Sequence, residues 1–129
     1  MEGMKRARVW MSVGAIVAAL LAMRLNSWGQ EDLDSLKVCG DTQKLVFENA
    51  LVRVIDDVIP PGVSEPRHRH PRGVVIVLAD AQTETRTSPD SPWRKGMNKF
   101  GAVNWSEPTV HEVRNVGVAP THFIRIDVK

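Results

Sequence analysis

Short apolar stretches alternate with turn-forming residues along most of the chain after residue 43. The stretches are rich in Val, Ile, Thr and aromatic residues, which favours β-strands, and Pro, Gly, Asn and Asp separate them. No helical period of useful length is present. The predicted strands cover residues 45–47, 51–59, 74–78, 82–87, 102–105, 110–116 and 123–128. Strands this short and this closely spaced predict an all-β sandwich or barrel, because a closed sheet protects its edges.

The first 29 residues have a different character. A basic segment precedes the 15-residue apolar run Val9–Met23, and small residues, Ser27 and Gly29, lie three positions and one position before a cleavage point at Gln30. This pattern predicts a signal peptide over 1–29 that is cleaved near Gly29, and therefore export to the periplasm or the medium. The alternative is an uncleaved anchor. A spanning helix needs about 20 apolar residues, so we expect no stable membrane anchor.

The remaining chain divides into an arm and a domain. Residues 30–43 are acidic and weakly periodic, and we interpret them as an N-terminal arm that lies against the domain formed by residues 44–129. Cys39, in the arm, is the only cysteine of the chain, which excludes an intramolecular disulfide. We expect it to be a partly buried thiol, and its role stays open.

Composition and charge limit the classes of partner. With 129 residues, 43% of them hydrophobic and 25% charged, the chain has room for one globular domain. Residues 1–29 contain four basic residues and one acidic residue, which leaves 13 basic and 14 acidic residues for the rest. The body of the protein therefore offers no electrostatic basis for binding nucleic acid.

Three of the four histidines have the spacing of a metal site. His68 and His70 share one face if they lie in a β-strand, and His111 lies in another predicted strand. Three imidazoles that meet at one point bind a divalent metal. The alternative is that the His-x-His pair is a solvated surface stretch.

The residues around these histidines resemble the two sequence motifs of the cupin superfamily. Gly62 precedes His68 and His70 with the spacing of the first motif, and Pro108-x2-His111-x3-Asn115 resembles the second. The resemblance covers residues 44–129 and implies a double-stranded β-helix, the jelly-roll or cupin barrel. It also implies that His68, His70 and His111 are metal ligands.

One departure from the first motif concerns charge. The motif adds a glutamate four or five residues after its second histidine, where this chain has Val74 and Val75. Three neutral imidazoles leave the charge of the ion uncompensated, which favours small anionic ligands and positions open to water, oxygen or substrate. Imidazoles do not select one metal, so Fe, Zn, Ni, Mn and Cu all stay open.

Other side chains carry weaker expectations. His122 has the strand parity of the apolar residues that follow it, which predicts an inward position, either structural or as a fourth ligand or proton carrier. By the same parity Arg67 and Arg69 point outward, as a solvated face or as a guide for an anionic ligand. Phe100 and Trp105 are expected to fill the core.

Two functions of different class fit this sequence. The first is a metal-dependent enzyme, an oxygenase or isomerase of a small anionic molecule, in which the catalytic residues are not identified. The second is a non-catalytic cupin with a degenerate site that binds a small ligand. The resemblance also implies that the domain forms a homodimer through its sheets.

Overall fold

The computed structural model describes residues 31–129. It contains one short helix, α1 (Ser35–Val38), and nine strands. The strands are β1 (Gln43–Glu48), β2 (Val52–Asp57), β3 (Ser64–His70), β4 (Gly73–Val77), β5 (Ala81–Arg86), β6 (Arg94–Asn98), β7 (Val103–Ser106), β8 (Thr109–Asn115) and β9 (Phe123–Val128).

The strands form two antiparallel sheets. The five-stranded sheet has the order β1-β2-β9-β4-β7, and the four-stranded sheet has the order β3-β8-β5-β6. Neighbours in each sheet are mostly distant in sequence, as in a double-stranded β-helix. The predicted all-β jelly-roll fold is confirmed.

Two strands, β3 and β6, lie outside the segments that the sequence pattern predicted as strands. Lys95 and Gly96 lie within β6, where Gly96 pairs with Thr83 of β5. A side chain at Gly96 would approach Thr83 Oγ1 to 3.2 Å, so glycine fits the close contact between the two strands. Strand pairing here overrides the turn propensity of the Lys-Gly dipeptide.

Part of the N-terminal arm contacts the domain. Leu33 is buried, and its carbonyl accepts a hydrogen bond from the Arg69 amide of β3. Asp34 caps α1 by accepting a hydrogen bond from the Leu36 amide, and it forms an ion pair with Arg53 of β2. The predicted signal peptide lies outside the described residues. Within residues 31–129, no helix is long and apolar enough to span a membrane.

The interior of the barrel is partly polar. An apolar cluster of Val77, Ala81 and Phe123 occupies part of it. On β9, Arg125 and Asp127 are also buried and point to the same side as Phe123. Arg125 Nε donates to Asp127 Oδ1 at 2.6 Å, so each charge has its counterion inside the barrel.

The outer face of the five-stranded sheet is mostly apolar. Strand register aligns these residues across the sheet: Phe47, Val52, Val54, Val74, Ile76, Val103, Trp105, Ile124, Ile126 and Val128. Trp105 is 57% exposed and Phe100, in the loop before β7, is 72% exposed. The expectation that these two aromatic residues fill the core was wrong.

Candidate metal centre

The three histidines that the sequence selected meet inside the barrel. His68 and His70 lie on the inward face of β3, and His111 of β8 pairs directly with His68. The ring centroid of His68 lies 4.8 Å from that of His70 and 4.6 Å from that of His111. His68 is fully buried, His70 is nearly so, and His111 is half-buried.

The spacing of the donor atoms fits a single ion. His68 Nε2 and His111 Nε2 are 3.1 Å apart, and one nitrogen from each of the three rings lies within 4.8 Å of the others. Two nitrogens bound at about 2.1 Å to one ion, roughly 90–110° apart, lie about 3.0–3.4 Å from each other. The three histidines are therefore able to hold a divalent metal.

A hydrogen bond fixes the orientation of the His68 ring. His68 Nδ1 lies 2.7 Å from the Pro66 carbonyl, to which it donates, so that its Nε2 presents a lone pair toward His111. His70 Nδ1 lies 3.6 Å from Asp127 Oδ1, and among the described residues it has no partner within hydrogen-bond distance. A ligand histidine is commonly oriented by a carbonyl or carboxylate behind it.

Burial keeps two of the rings neutral. It lowers the pKa of His70 to about 4 and that of His111 to about 3, and in both cases nearby cationic groups add to the effect. A metal binds only the neutral imidazole. At neutral pH these two ligands are ready to bind without losing a proton.

A cavity of about 140 Å³ adjoins the histidines. Its lining includes Val75, one of the two residues in the place of the motif glutamate, so this wall of the cavity carries no carboxylate at that position. The other polar side chains that line it are Asp57, Glu65, Thr83, Thr85, Asn98 and Arg125.

Two of these lining residues are acids that lie close together. Burial, and then the charge of Glu65, raise the pKa of Asp57 to about 8. The buried pair of Asp57 and Glu65 therefore keeps a proton to a higher pH than an ordinary carboxyl group does. Asp57 Oδ1 is buried and has no hydrogen-bond partner among the described residues.

Sequence reasoning missed the buried charged residues Glu65, Arg125 and Asp127 because of a strand irregularity and because the buried face of β9 is the opposite of the expected one. The register of β3 against β8 shifts between Glu65 and His68, so both residues are buried although simple alternation places them on opposite faces. On β9 the alternation was correct, but the buried set contains Arg125 and Asp127 and the apolar set is external. The register shift and the choice of buried face are both tertiary properties.

The remaining sequence candidates lie outside the cluster. His122 does share a face with Ile124, but that face is the outer one, and His122 Nε2 lies 2.7 Å from Asp56 Oδ1. The expected inward position of His122 was wrong. Arg67 and Arg69 point outward as predicted. Cys39 is buried with its Sγ 4.0 Å from the Pro66 carbonyl, and burial raises the pKa of its thiol.

Solved structures identify the architecture. A cupin domain from Bordetella pertussis superposes with a TM-score of 0.62 at 20% identity, covering 78% of this chain and 99% of that one. A cupin family protein from Methanocaldococcus jannaschii has a TM-score of 0.54 at 15% identity, with coverage of 67% and 77%. This chain has the cupin fold. No family model and no curated protein matches its sequence.

A third solved structure agrees with this assignment. A protein with a double-stranded β-helix domain from Klebsiella pneumoniae has a TM-score of 0.54 at 21% identity, covering 67% of this chain and 74% of its own. At these identities the similarity establishes the cupin fold, and the chemistry has to be argued from the site.

Proposed function

We propose that this protein is an exported metal-binding cupin whose ion is held by His68, His70 and His111, and that it acts as an oxygenase or isomerase on a small anionic molecule. The observation that carries the proposal is the convergence of three buried imidazoles beside a cavity. A divalent ion bound there would supply Lewis acidity and positions for oxygen or substrate.

The cavity limits the size of the substrate. Its 140 Å³ corresponds to roughly five water molecules at about 30 Å³ each. A substrate that enters it whole is therefore small, and a larger one would place only its reacting end beside the histidines.

Cationic side chains support an anionic substrate. A more open groove of about 670 Å³ lies next to the cavity, and His70 contributes to the lining of both. Arg69 and Arg72 line this groove, and neither forms an ion pair among the described residues. Their charges would attract an anion to the wall of the barrel that carries His70.

Asp57 supplies a proton-transfer group within the same cavity. Burial and the neighbouring charge of Glu65 raise the pKa of its carboxyl to about 8. A carboxylic acid with a pKa near the working pH is suited to give and take a proton. We propose that Asp57 donates a proton from its carboxyl oxygen to a substrate atom in the cavity.

Elemental analysis of the purified full chain tests the proposal, followed by oxygen-uptake screening with small carboxylic acids and enols if iron or copper is found. About one equivalent of a transition metal, lost in His111→Ala, supports the metal centre. A protein that is metal-free and takes up no added Fe(II), Zn(II), Ni(II), Mn(II) or Cu(II) would overturn it.

A non-catalytic ligand-binding cupin is the second candidate. The 3.1 Å separation of His68 Nε2 and His111 Nε2 also suits an N–H···N hydrogen bond, which would satisfy both rings in a metal-free barrel. The elemental analysis distinguishes the two candidates, because only the first requires an ion.

We also propose that two copies associate through the outer apolar face of the five-stranded sheet. Five strands about 4.8 Å apart, with four to five residues along each one at about 3.4 Å per residue, give a projected face of roughly 24 Å by 15 Å, or about 700 Å² in total when it is paired with itself. This is less than the roughly 1,200 Å² of a standard interface and suits a weak, concentration-dependent dimer. A mostly apolar face can meet a second copy of itself, as a two-fold contact requires, with the polar pair of His122 and Asp56 on the same face.

A further inference from the structure

Glu65 is a buried carboxylate beside the histidine cluster. It is 2% exposed and lines the cavity that also adjoins His68, His70 and His111. The irregular pairing of β3 between Glu65 and His68 turns both side chains inward. A buried carboxylate needs hydrogen bonds or a cation to offset the loss of water.

The two oxygens of this carboxylate have different surroundings. Oε1 accepts hydrogen bonds from Thr42 Oγ1 and from Gln43 Nε2, the latter at 3.1 Å. Oε2 lies 3.7 Å from His68 Nε2, the nitrogen that faces His111. The two donors on β1 and its preceding turn therefore hold the group with Oε2 directed at the nitrogen that is expected to bind the ion.

We propose that Glu65 is the carboxylate of this metal centre and that its Oε2 binds the ion held by the three histidines. The inference rests on the metal site proposed above. In the cupin motif a glutamate after the second histidine supplies the negative charge, and this chain has Val74 and Val75 there. The proposal gives that charge to Glu65, which precedes His68.

The distance to His68 agrees with a shared ion, although Glu65 is not part of the group formed by His68, His70 and His111, whose donor atoms lie within 4.8 Å of one another. Binding therefore requires the carboxylate and the ion to move toward each other. Two donor atoms each about 2.1 Å from one ion and roughly 120° apart lie about 3.6 Å from each other. The observed separation of 3.7 Å differs from this value by about a tenth of an ångström. Binding of Glu65 would cancel one of the two positive charges of a divalent ion and leave a net charge that still attracts an anion.

Cys39 is the competing donor. Donor atoms of Cys39, Glu65 and His68 also lie within 4.8 Å of one another. The Cys39 thiol, however, has its Sγ 4.0 Å from the Pro66 carbonyl, to which it donates, and it does not line the cavity. The structure thus favours Glu65, and a Cys39 variant separates the two.

The test is Co(II) binding to the metal-stripped full chain, measured by calorimetry and by the visible absorption of the bound ion. Glu65→Gln keeps the shape of the side chain and removes its charge. We expect it to weaken Co(II) binding at least about tenfold and to change the visible spectrum, because the ligand set changes. Cys39→Ser should leave both unchanged. Asp56→Asn is the matched control, since Asp56 is also an acid beside a histidine but lies outside the barrel.

Wild-type affinity and spectrum in Glu65→Gln would overturn the assignment, and a loss confined to Cys39→Ser would give the role to the thiol. Failure of the metal site itself gives a different result, because His111→Ala would then bind Co(II) as the wild type does. If Glu65→Gln does not fold, Glu65→Asp answers the same question: it keeps the charge but retracts the oxygen by one methylene, so a direct ligand predicts weaker binding and an altered spectrum. An unchanged spectrum in that variant would overturn the assignment.

Discussion

His68 and His111 occupy directly opposed positions on the antiparallel strands β3 and β8, with 3.1 Å between their Nε2 atoms. Opposed residues on neighbouring strands have their side chains on the same face of the sheet, so the pairing of two strands fixes the separation of the two rings. His70 adds a third ring from the same face of β3. The site thus lies on rigid strands, as a binding site with defined geometry requires.

This geometry predicts that the three histidines act as one unit. Replacing His68, His70 or His111 by Ala should weaken Ni(II) binding by orders of magnitude, and a second replacement should add little. His122→Ala should have a small effect, because His122 is on the outer face with Asp56. Calorimetric titration of Ni(II) into the metal-stripped variants measures these losses. Equal losses in His111→Ala and His122→Ala would contradict the ligand assignment.

Metal binding should persist in acid below the usual range for histidine. Protons compete with the metal for each ligand nitrogen, and an ordinary imidazole has a pKa of about 6.5. Burial lowers the pKa of His70 to about 4 and that of His111 to about 3. Neither ring therefore gains a proton between pH 7.5 and 5.5. We expect the Ni(II) affinity to change by no more than about tenfold over this interval in a calorimetric titration. Three imidazoles of ordinary pKa would lose about a thousandfold, and a loss of that size would contradict the prediction.

The sequence predicted the all-β fold and the shared face of His68 and His70 because both depend on local patterns. Strands follow from short apolar stretches between turn residues, and alternation places His68 and His70 on one face. The cupin motifs then connected them to His111, which no local pattern does.

The charged residues of the barrel interior were not predictable in the same way. Glu65 reaches the interior through an irregularity in the pairing of β3 with β8, and pairing partners are unknown before the chain folds. Arg125 and Asp127 were missed because period-2 alternation defines two faces without saying which is buried. Because Ile124 and Ile126 are apolar, their face of β9 was expected to be the buried one. In the structure the buried face carries the ion pair of Arg125 and Asp127, and the isoleucines lie on the outer face.

Export predicts a defined mass for the mature protein. If residues 1–29 are a signal peptide, the exported chain begins at Gln30 or within a few residues of it. Intact-mass spectrometry of the protein from the soluble exported fraction measures this directly. A chain that retains Met1–Gly29 and stays with the membrane would mean that the segment is an anchor.

Self-association should depend on the outer apolar face. Val103 lies on this face and is 65% exposed, so Val103→Lys should place a charge in the interface without disturbing the barrel interior. We expect light scattering after size exclusion to show a dimer for the wild type and a monomer for this variant. Val118→Lys is the control, because Val118 is 99% exposed in the loop before β9. A monomeric wild type at high concentration would exclude the proposed contact.

The pH dependence of stability should reveal the proton on Asp57. Its pKa is about 8 in the folded protein against 3.8 for the free group, because it is buried and next to the charge of Glu65. Between these values the folded state holds a proton that the unfolded state releases. The free energy of unfolding of the metal-free protein should therefore fall as the pH rises through this interval, by at most about 1.4 kcal/mol per pH unit.

His70 and His111 have the opposite effect on the free energy of unfolding, but only below about pH 6.5. In that range their imidazoles bind protons in the unfolded state and stay neutral in the folded state, because burial lowers their pKa values. Above pH 6.5 only the Asp57 effect remains among these three groups.

Thermal unfolding in chelator, followed by circular dichroism, should thus give a falling Tm from pH 6.5 to 8.0. Asp57→Asn removes the titrating group and should flatten this decline and raise the Tm at pH 8.0 by several degrees. Asp56→Asn, at the neighbouring outward position, should keep the wild-type decline, and an equal decline in Asp57→Asn would show that another group holds the proton.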